Sequence, residues 1–461
     1  MPIKTASRRR ALIIAVALGN LIFWLIPSNV PALVAKEQQV LCGRYSRVQF
    51  AWMLGVALLS AVIIYLGSAS DSRRMRQRVF ALCAMIIGIV PIAVIADIAL
   101  RLRTEYPYQS DPVVYHRPPN KRYHQIYRDE PVARRSYPVA QPGFGSVDCT
   151  LTYDAAGYRN KDLPASCDVV AVGDSFTEGS RVSDDQPWPV LLGKQTARRV
   201  YNLGISGYGP PEYLAALKAY GLPRKPKCVI CMLYEGNDFH TAETEAKAGV
   251  STRQFIRTSP LLLATNDAMV QAFGSIGADW HVRGLDDLCW MPVAFPSGQK
   301  PRYYAFPPKQ LTELNISPRE FAISEEWFAV KSELRSMQEI CLAAGAKLFI
   351  AYAPNKAHVI FPLAAASIAS DRLESFISMQ KKVRAEPDFK EELCRNLESR
   401  ERVIADYCRE KSIAFISTTL ALRKSANEGE QPYYTYDQHW SPEGHATAAR
   451  RIAAGLAEAG I

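Results

Sequence analysis

Asp168-Val169-Val170-Ala171-Val172-Gly173-Asp174-Ser175-Phe176-Thr177-Glu178-Gly179 is the stretch that decides how this chain is read. A short β-branched run closed by glycine reads as a strand buried on both faces. The polar residues after it open a helix, so Ser175 stands where a strand turns into a helix. Four more runs have the same look: Val200–Ile205, Cys228–Tyr234, Lys347–Tyr352 and Ile413–Ser417. Helical patterns lie between them, among them Pro211–Tyr220 and Glu325–Ala344. Strand and helix in alternation predict an α/β fold, a three-layer α/β/α doubly wound parallel sheet. Two insertions interrupt it, at about 240–324 and 355–400, so the domain is expected to run over 151–461.

In an open parallel sheet, ligands bind beyond the carboxyl ends of the strands. Ser175 falls at the first such end, Gly204 to Gly209 at the second and Glu235-Gly236-Asn237-Asp238 at the third. Asp437-Gln438-His439-Trp440 follows the last strand. A serine hydroxyl needs a base near neutral pH. His439 is the candidate base and Asp437 the candidate group that orients it. The backbone N–H groups of Ser175 and Gly207 and the Asn237 side-chain amide are candidate oxyanion donors. Asp174, Lys356 and His358 are candidates for lining the substrate site. His445 is the rival base, read as structural because Pro442 places it in the first turn of a closing helix.

These blocks resemble the SGNH, or GDSL-type, hydrolases. That family has a GDS serine, a glycine in an N-x-x-x-x-G segment, an Asn in G-x-N-D and a late Asp/His pair. All four stand here in order, and the second selects Gly207 rather than Gly204. The resemblance covers roughly 150–240 and 345–455. It is closest to the membrane-linked, glycan-modifying branch. There, Ala156-Gly157-Tyr158-Arg159 and Pro354-Asn355-Lys356 have similar counterparts, and Asp-x-His-Trp is similar to the ending of proteins that acetylate exported polysaccharides. One departure stands: the family spacing is Asp-x-x-His, whereas Asp437 and His439 are two apart. In an extended segment both side chains would share a face; in a turn their relation is open.

Outward from the sheet, the front of the chain is different in kind. Apolar runs occupy about 11–34, 48–69 and 79–102, and the last two meet the length of a bilayer-crossing helix. Lys4, Arg8, Arg9 and Arg10 precede the first, and Arg73, Arg74, Arg76 and Arg78 lie between the second and third. Positive-inside reasoning puts the N-terminus in the cytoplasm, residues 1–103 in the cytoplasmic (inner) membrane as a multi-pass anchor, and the rest on the extracytoplasmic side. Residues 1–110 hold 13 Lys and Arg against 4 Asp and Glu, a net of +9 out of +10 for all 461 residues. A basic excess confined to one end does not suit a nucleic-acid surface. Residues 104–150, rich in Pro, Tyr and Arg, read as an extended connector or a strap across the following domain.

Quieter signals remain. Cys228 and Cys231 match C-x-x-C inside a strand, where their sulfurs would face opposite sides and serve packing. Cys149 and Cys167 lie around the start of the first strand, a placement suited to a disulfide in an oxidising compartment. No metal-ligand spacing or phosphate loop is present, so no metal and no cofactor are expected. The residues predict a membrane-tethered serine esterase or acyltransferase. The resemblance implies O-acyl groups, acetyl foremost, on an extracytoplasmic glycan, with a membrane acyl-donor protein as partner if transfer is the activity. The alternative is a catalytically silent scaffold or glycan-binding subunit of an envelope assembly.

Overall fold

The computed structural model describes residues 15–16, 18–20, 47–69, 71–103, 109–110, 114–129, 139–239, 290–295, 301–378 and 386–461. The chain divides into two compact units. One comprises residues 1–105, 132–135 and 250–288; the other comprises 106–131, 136–249 and 289–461.

In the first unit, helices α1 (Arg47–Gly67) and α2 (Ser72–Arg103) are joined by a short turn. Arg78 of α2 donates to Ser68 Oγ at 2.8 Å and lies 4.8 Å from the centre of the Tyr65 ring. Leu58, Phe80, Ile87, Ile92 and Ile95 are exposed on these helices. Among the described residues no helix is long and apolar enough to cross a membrane, so the three expected spans are not established. The first of them, about 11–34, lies almost wholly outside the described residues.

In the second unit, after a two-residue antiparallel pairing of Gln109–Ser110 with Tyr115–His116, comes an antiparallel ribbon, β1 (Arg122–Asp129) and β2 (Gly145–Thr152), with Tyr127 opposite Val147. The 104–150 segment is therefore not a plain connector. Tyr123 and Tyr127, four apart on β1, share a face and pack on Cys149, Leu151 and Tyr153, which gives the ribbon a small apolar face of its own.

The central sheet contains β3 (Val169–Val172), β4 (Val200–Asn202), β5 (Cys228–Tyr234), β8 (Lys347–Ala353) and β9 (Ala414–Ser417). The intervening β6 (Met291–Phe295) and β7 (Arg302–Phe306) form a separate antiparallel pair. The sheet order is β9-β8-β5-β3-β4 and every pairing is parallel. Residues alternate between faces. Val169, Ala171 and Cys228 pack with Trp188, Leu192, Leu422, Ile452 and Leu456 on one side. Val170, Val172 and Cys231 pack with Tyr213, Val330, Leu334, Met337 and Ile404 on the other. Cys228 and Cys231 thus face opposite layers. This is the expected three-layer α/β/α arrangement around a parallel sheet.

The chain leaves β3 for β4 on one side and returns to β5 on the other. The crevice at this reversal is where a parallel sheet binds its ligand. The expected insertion at 240–324 contains the β6–β7 pair and two short helices, Pro308–Leu314 and Pro318–Ala322; residues 240–289 lie outside the described set. Cys149 and Cys167 are both buried free thiols, not a disulfide. They belong to different clusters, one under the ribbon and one against the sheet.

Candidate active site

The turn that carries Ser175, the candidate nucleophile, comes first. Gly173 passes so close to Thr177 that a Cβ there would lie 2.1 Å from Oγ1. Only glycine permits that approach. Asp174 then caps the one-turn helix Ser175–Glu178 by accepting from Phe176 N–H at 2.9 Å. Ser175 is the first helical residue, so its N–H has no intrahelical acceptor. Its Oγ lies 2.8 Å from His439 Nε2 and donates to Asp174 Oδ2 at a longer 3.3 Å.

The candidate base, His439, stands in a tight turn, not a strand. Tyr434 N–H donates to His439 O at 3.2 Å, and Tyr433 pairs with Trp440 across the turn. Asp437 Oδ1 accepts from His439 N–H at 2.9 Å and meets His439 Nδ1 at 2.5 Å. A carboxylate bonding the backbone two residues on is a common turn device. Here the same oxygen also takes the imidazole. Ser175, His439 and Asp437 are thereby brought into one hydrogen-bonded line.

The second Asp437 oxygen is held by residues that sequence reasoning missed. Tyr127 of β1 donates to Oδ2 at 3.0 Å, and Arg181 Nε lies 3.5 Å from it. The Arg181 guanidinium stacks 4.8 Å from the centre of the Tyr127 ring. Burial pushes the Asp437 carboxyl up, but His439, with Arg181 adding to it, outweighs that and holds it well below its usual range. The Tyr434 hydroxyl donates to Arg181 O at 2.6 Å. The abundance of Tyr and Arg near these positions was the one signal in the sequence, and it did not single them out.

The turn's backbone is gripped from two sides. Lys356 Nζ donates to the carbonyls of Tyr434, Thr435 and Asp437 at 3.1, 2.7 and 3.0 Å. Asp129 accepts from Thr435 N–H at 2.7 Å and Tyr436 N–H at 2.9 Å. Lys356 has no exposed surface, so the expectation that it lines the substrate site is corrected. An ammonium buried this deeply needs acceptors on every side, and three carbonyls supply them. Arg159 does the same for the nucleophile turn, donating to the carbonyls of Gly179 and Val182.

His358 requires the same correction. It is fully buried, with Nδ1 2.8 Å from Glu235 Oε2 and Nε2 3.7 Å from Glu401. Its work is to tie the helix after β8 to the end of β5. Asp174 is also fully buried as a cap and does not line the site through exposed surface. Burial raises its carboxyl to about 6, against the bonds it accepts.

Of the oxyanion candidates, Gly207 has φ +88°, and a Cβ added there would have Tyr115 Oη as its nearest neighbour, at 3.2 Å. Asn237 donates through Nδ2 to Tyr208 O at 3.4 Å, and its side chain also bonds the Asp174 carboxyl beside Ser175. His445 sits apart from this line. Its Nδ1 accepts from Trp188 N–H at 3.3 Å, and burial lowers its imidazole to about 3, which makes it a neutral structural acceptor. Among the described residues no cluster of three or more His, Cys, Asp or Glu is placed to hold a metal ion.

A strand-end serine, an imidazole and a carboxylate thus meet at one edge of a parallel α/β sheet. Residues 329–460 match the family model described as "SGNH hydrolase-like domain, acetyltransferase AlgX". Similar solved structures include a putative lipolytic protein of the G-D-S-L family from Desulfitobacterium hafniense DCB-2. It is 16% identical, with a TM-score of 0.30 over 62% of this chain and 98% of that one. The acetylxylan esterase Axe2 from Geobacillus stearothermophilus is 13% identical, with a TM-score of 0.30 over 64% and 95% of the two chains. No curated protein matches the chain.

Proposed function

We propose that this chain is a membrane-tethered serine esterase or acyltransferase acting on O-acyl groups, acetyl foremost, of an extracytoplasmic glycan. The observation that carries the reading is the line from Ser175 Oγ through His439 to Asp437, at 2.8 and 2.5 Å. In this reading His439 Nε2 takes the Ser175 proton as Oγ attacks the acyl carbonyl. The N–H groups of Ser175 and Gly207 and the Asn237 amide receive the oxyanion. The imidazolium then protonates the departing alcohol, leaving an acyl-serine. A water or sugar hydroxyl, deprotonated by His439, releases the acyl group. The match to an acetyltransferase family model supports the acetyl assignment. If transfer is the activity, a membrane partner supplies the acyl group.

The tether belongs to the same proposal. The exposed apolar side chains of α1 and α2, beside the basic first turns of α2 from Arg73 to Arg78, support it. The test is acetate release from a small chromogenic acetyl ester by the full-length chain, beside Ser175→Ala. Turnover present in the first and lost in the second supports the reading. A folded wild type that neither turns over nor reacts with a serine-directed phosphonate sinks it and favours the silent scaffold.

A further inference from the structure

We infer that Tyr127, on the ribbon strand before the sheet, is a positioning residue of the catalytic line. It sets the orientation and charge of Asp437, with Arg181 as its brace. The inference rests on the reading of Ser175, His439 and Asp437 as working machinery.

The geometry carries it. Asp437 has two oxygens with separate tasks. Oδ1 serves His439, through N–H and Nδ1. Oδ2 serves none of the reacting groups and is instead held by Tyr127 Oη at 3.0 Å and Arg181 Nε at 3.5 Å. A carboxylate fixed at only one oxygen can rotate about its Cβ–Cγ bond; holding the second oxygen removes that freedom. The Tyr127 ring is itself fixed, by Arg181 on its face at 4.8 Å and by the edge-on Tyr434 ring at 5.1 Å. Two residues further along the same strand, Asp129 accepts two N–H groups of the base turn. One strand therefore reaches both the carboxylate and the backbone that carries it.

The chemistry follows from the charges. Around Asp437 stand His439, Tyr127 and Arg181, with Lys356 on its carbonyl and Asp129 on the neighbouring backbone. Burial, with Asp437 and Asp129 adding to it, pushes the Tyr127 phenol up, so it stays a donor across the working pH range. A donor on Oδ2 spreads the carboxylate charge and moderates its pull on the imidazolium. Removing it frees the carboxylate to turn and strengthens that pull. Both changes act on the base and neither touches the acyl pocket.

The experiment is Tyr127→Phe in the full-length chain, which keeps the ring and its stacking, with Arg181→Met as the second variant. In Tyr127→Phe, kcat on the acetyl ester should fall about tenfold with KM unchanged, the effect of one charge-assisted bond. The acid limb of its pH–rate profile should move to higher pH, and Arg181→Met should move it the same way. A one-dimensional proton spectrum gives a readout that does not require turnover. The low-field resonance of the proton between Nδ1 and Asp437, identified by its loss in His439→Gln, should shift in Tyr127→Phe. A variant with wild-type kcat, limb and resonance overturns the inference. So does a kcat loss with limb and resonance unmoved, which would mark a merely structural tyrosine. A wild type without turnover defeats the esterase reading alone, because the resonance still decides on Tyr127.

Discussion

Asp437 and His439 stand two residues apart in the chain and meet side chain to side chain, Oδ1 to Nδ1, at 2.5 Å. The turn makes this possible by letting the same oxygen take the His439 N–H. Backbone and imidazole are thus oriented by one atom. Asp437→Asn should keep the turn, because an amide oxygen in the place of Oδ1 still accepts both the His439 N–H and Nδ1–H, yet it removes the charge that stabilises the imidazolium. We expect kcat to fall by about 10²–10⁴ with little change in unfolding midpoint. Steady-state kinetics beside a thermal melt check both halves. A loss of stability as large as the loss of rate would assign Asp437 to folding instead.

The buried pair of His358 and Glu235 makes stability depend on pH. Burial pushes the His358 imidazole down, but Glu235 and then Glu401 overcome it and raise it above its usual value, with Arg423 opposing. Burial pushes Glu235 up, but His358 wins and lowers it. A raised imidazole stabilises the fold fully below its unfolded value of about 6.5, and that stability fades as pH rises through the folded value. A lowered carboxyl stabilises above its unfolded value, fading as pH falls through the folded one. The pair is therefore strongest between about 4.5 and 6.5 and weakens on the alkaline side. Melting the wild type and His358→Gln from pH 5 to 9 should show a fall toward high pH that the variant flattens. Parallel curves would refute the assignment.

Lys356 anchors three carbonyls with a single ammonium. Lys356→Met keeps the stem and leaves those acceptors without their donor. The expected loss is about 2–4 kcal/mol, seen as a lower urea midpoint. A midpoint within error of wild type would mean that other donors replace the ammonium.

Gly207 has φ +88°, where a side chain is strained. Gly207→Ala should turn the candidate oxyanion N–H away from its place at a stability cost of about 1–2 kcal/mol. The loss in kcat should be about tenfold or more, toward the range of one lost oxyanion donor. Activity equal to wild type in a folded variant would remove Gly207 from the donor set.

What the sequence disclosed follows from local physics. The five sheet strands were legible because strands buried on both faces are apolar without alternation, as Val169–Val172 and Cys228–Tyr234 are. Ser175, Asn237 and His439 were legible because each stands just past such a run or in the last loop. Tyr127 and Arg181 were not. Tyr127 reaches a carboxylate 310 positions away, and no local period encodes that. Lys356 and His358 misled because a charged residue after a strand ordinarily faces water. Only tertiary contacts reveal that three carbonyls and two carboxylates bury them. The ribbon was hidden by its prolines and charges, which also suit an extended connector.

The grip on the base turn has a consequence for how the protein comes into being. Asp129 and Lys356 leave the ribosome long before Thr435 and Asp437, the groups that satisfy them. During synthesis both are polar groups without their final partners, so the region around them cannot close. Ser175 likewise waits for an imidazole more than 260 residues downstream. Pairings of such long span are slow to form, because loop closure precedes their reward. The nascent chain therefore carries Ser175 without its imidazole partner until more than 260 further residues have been made.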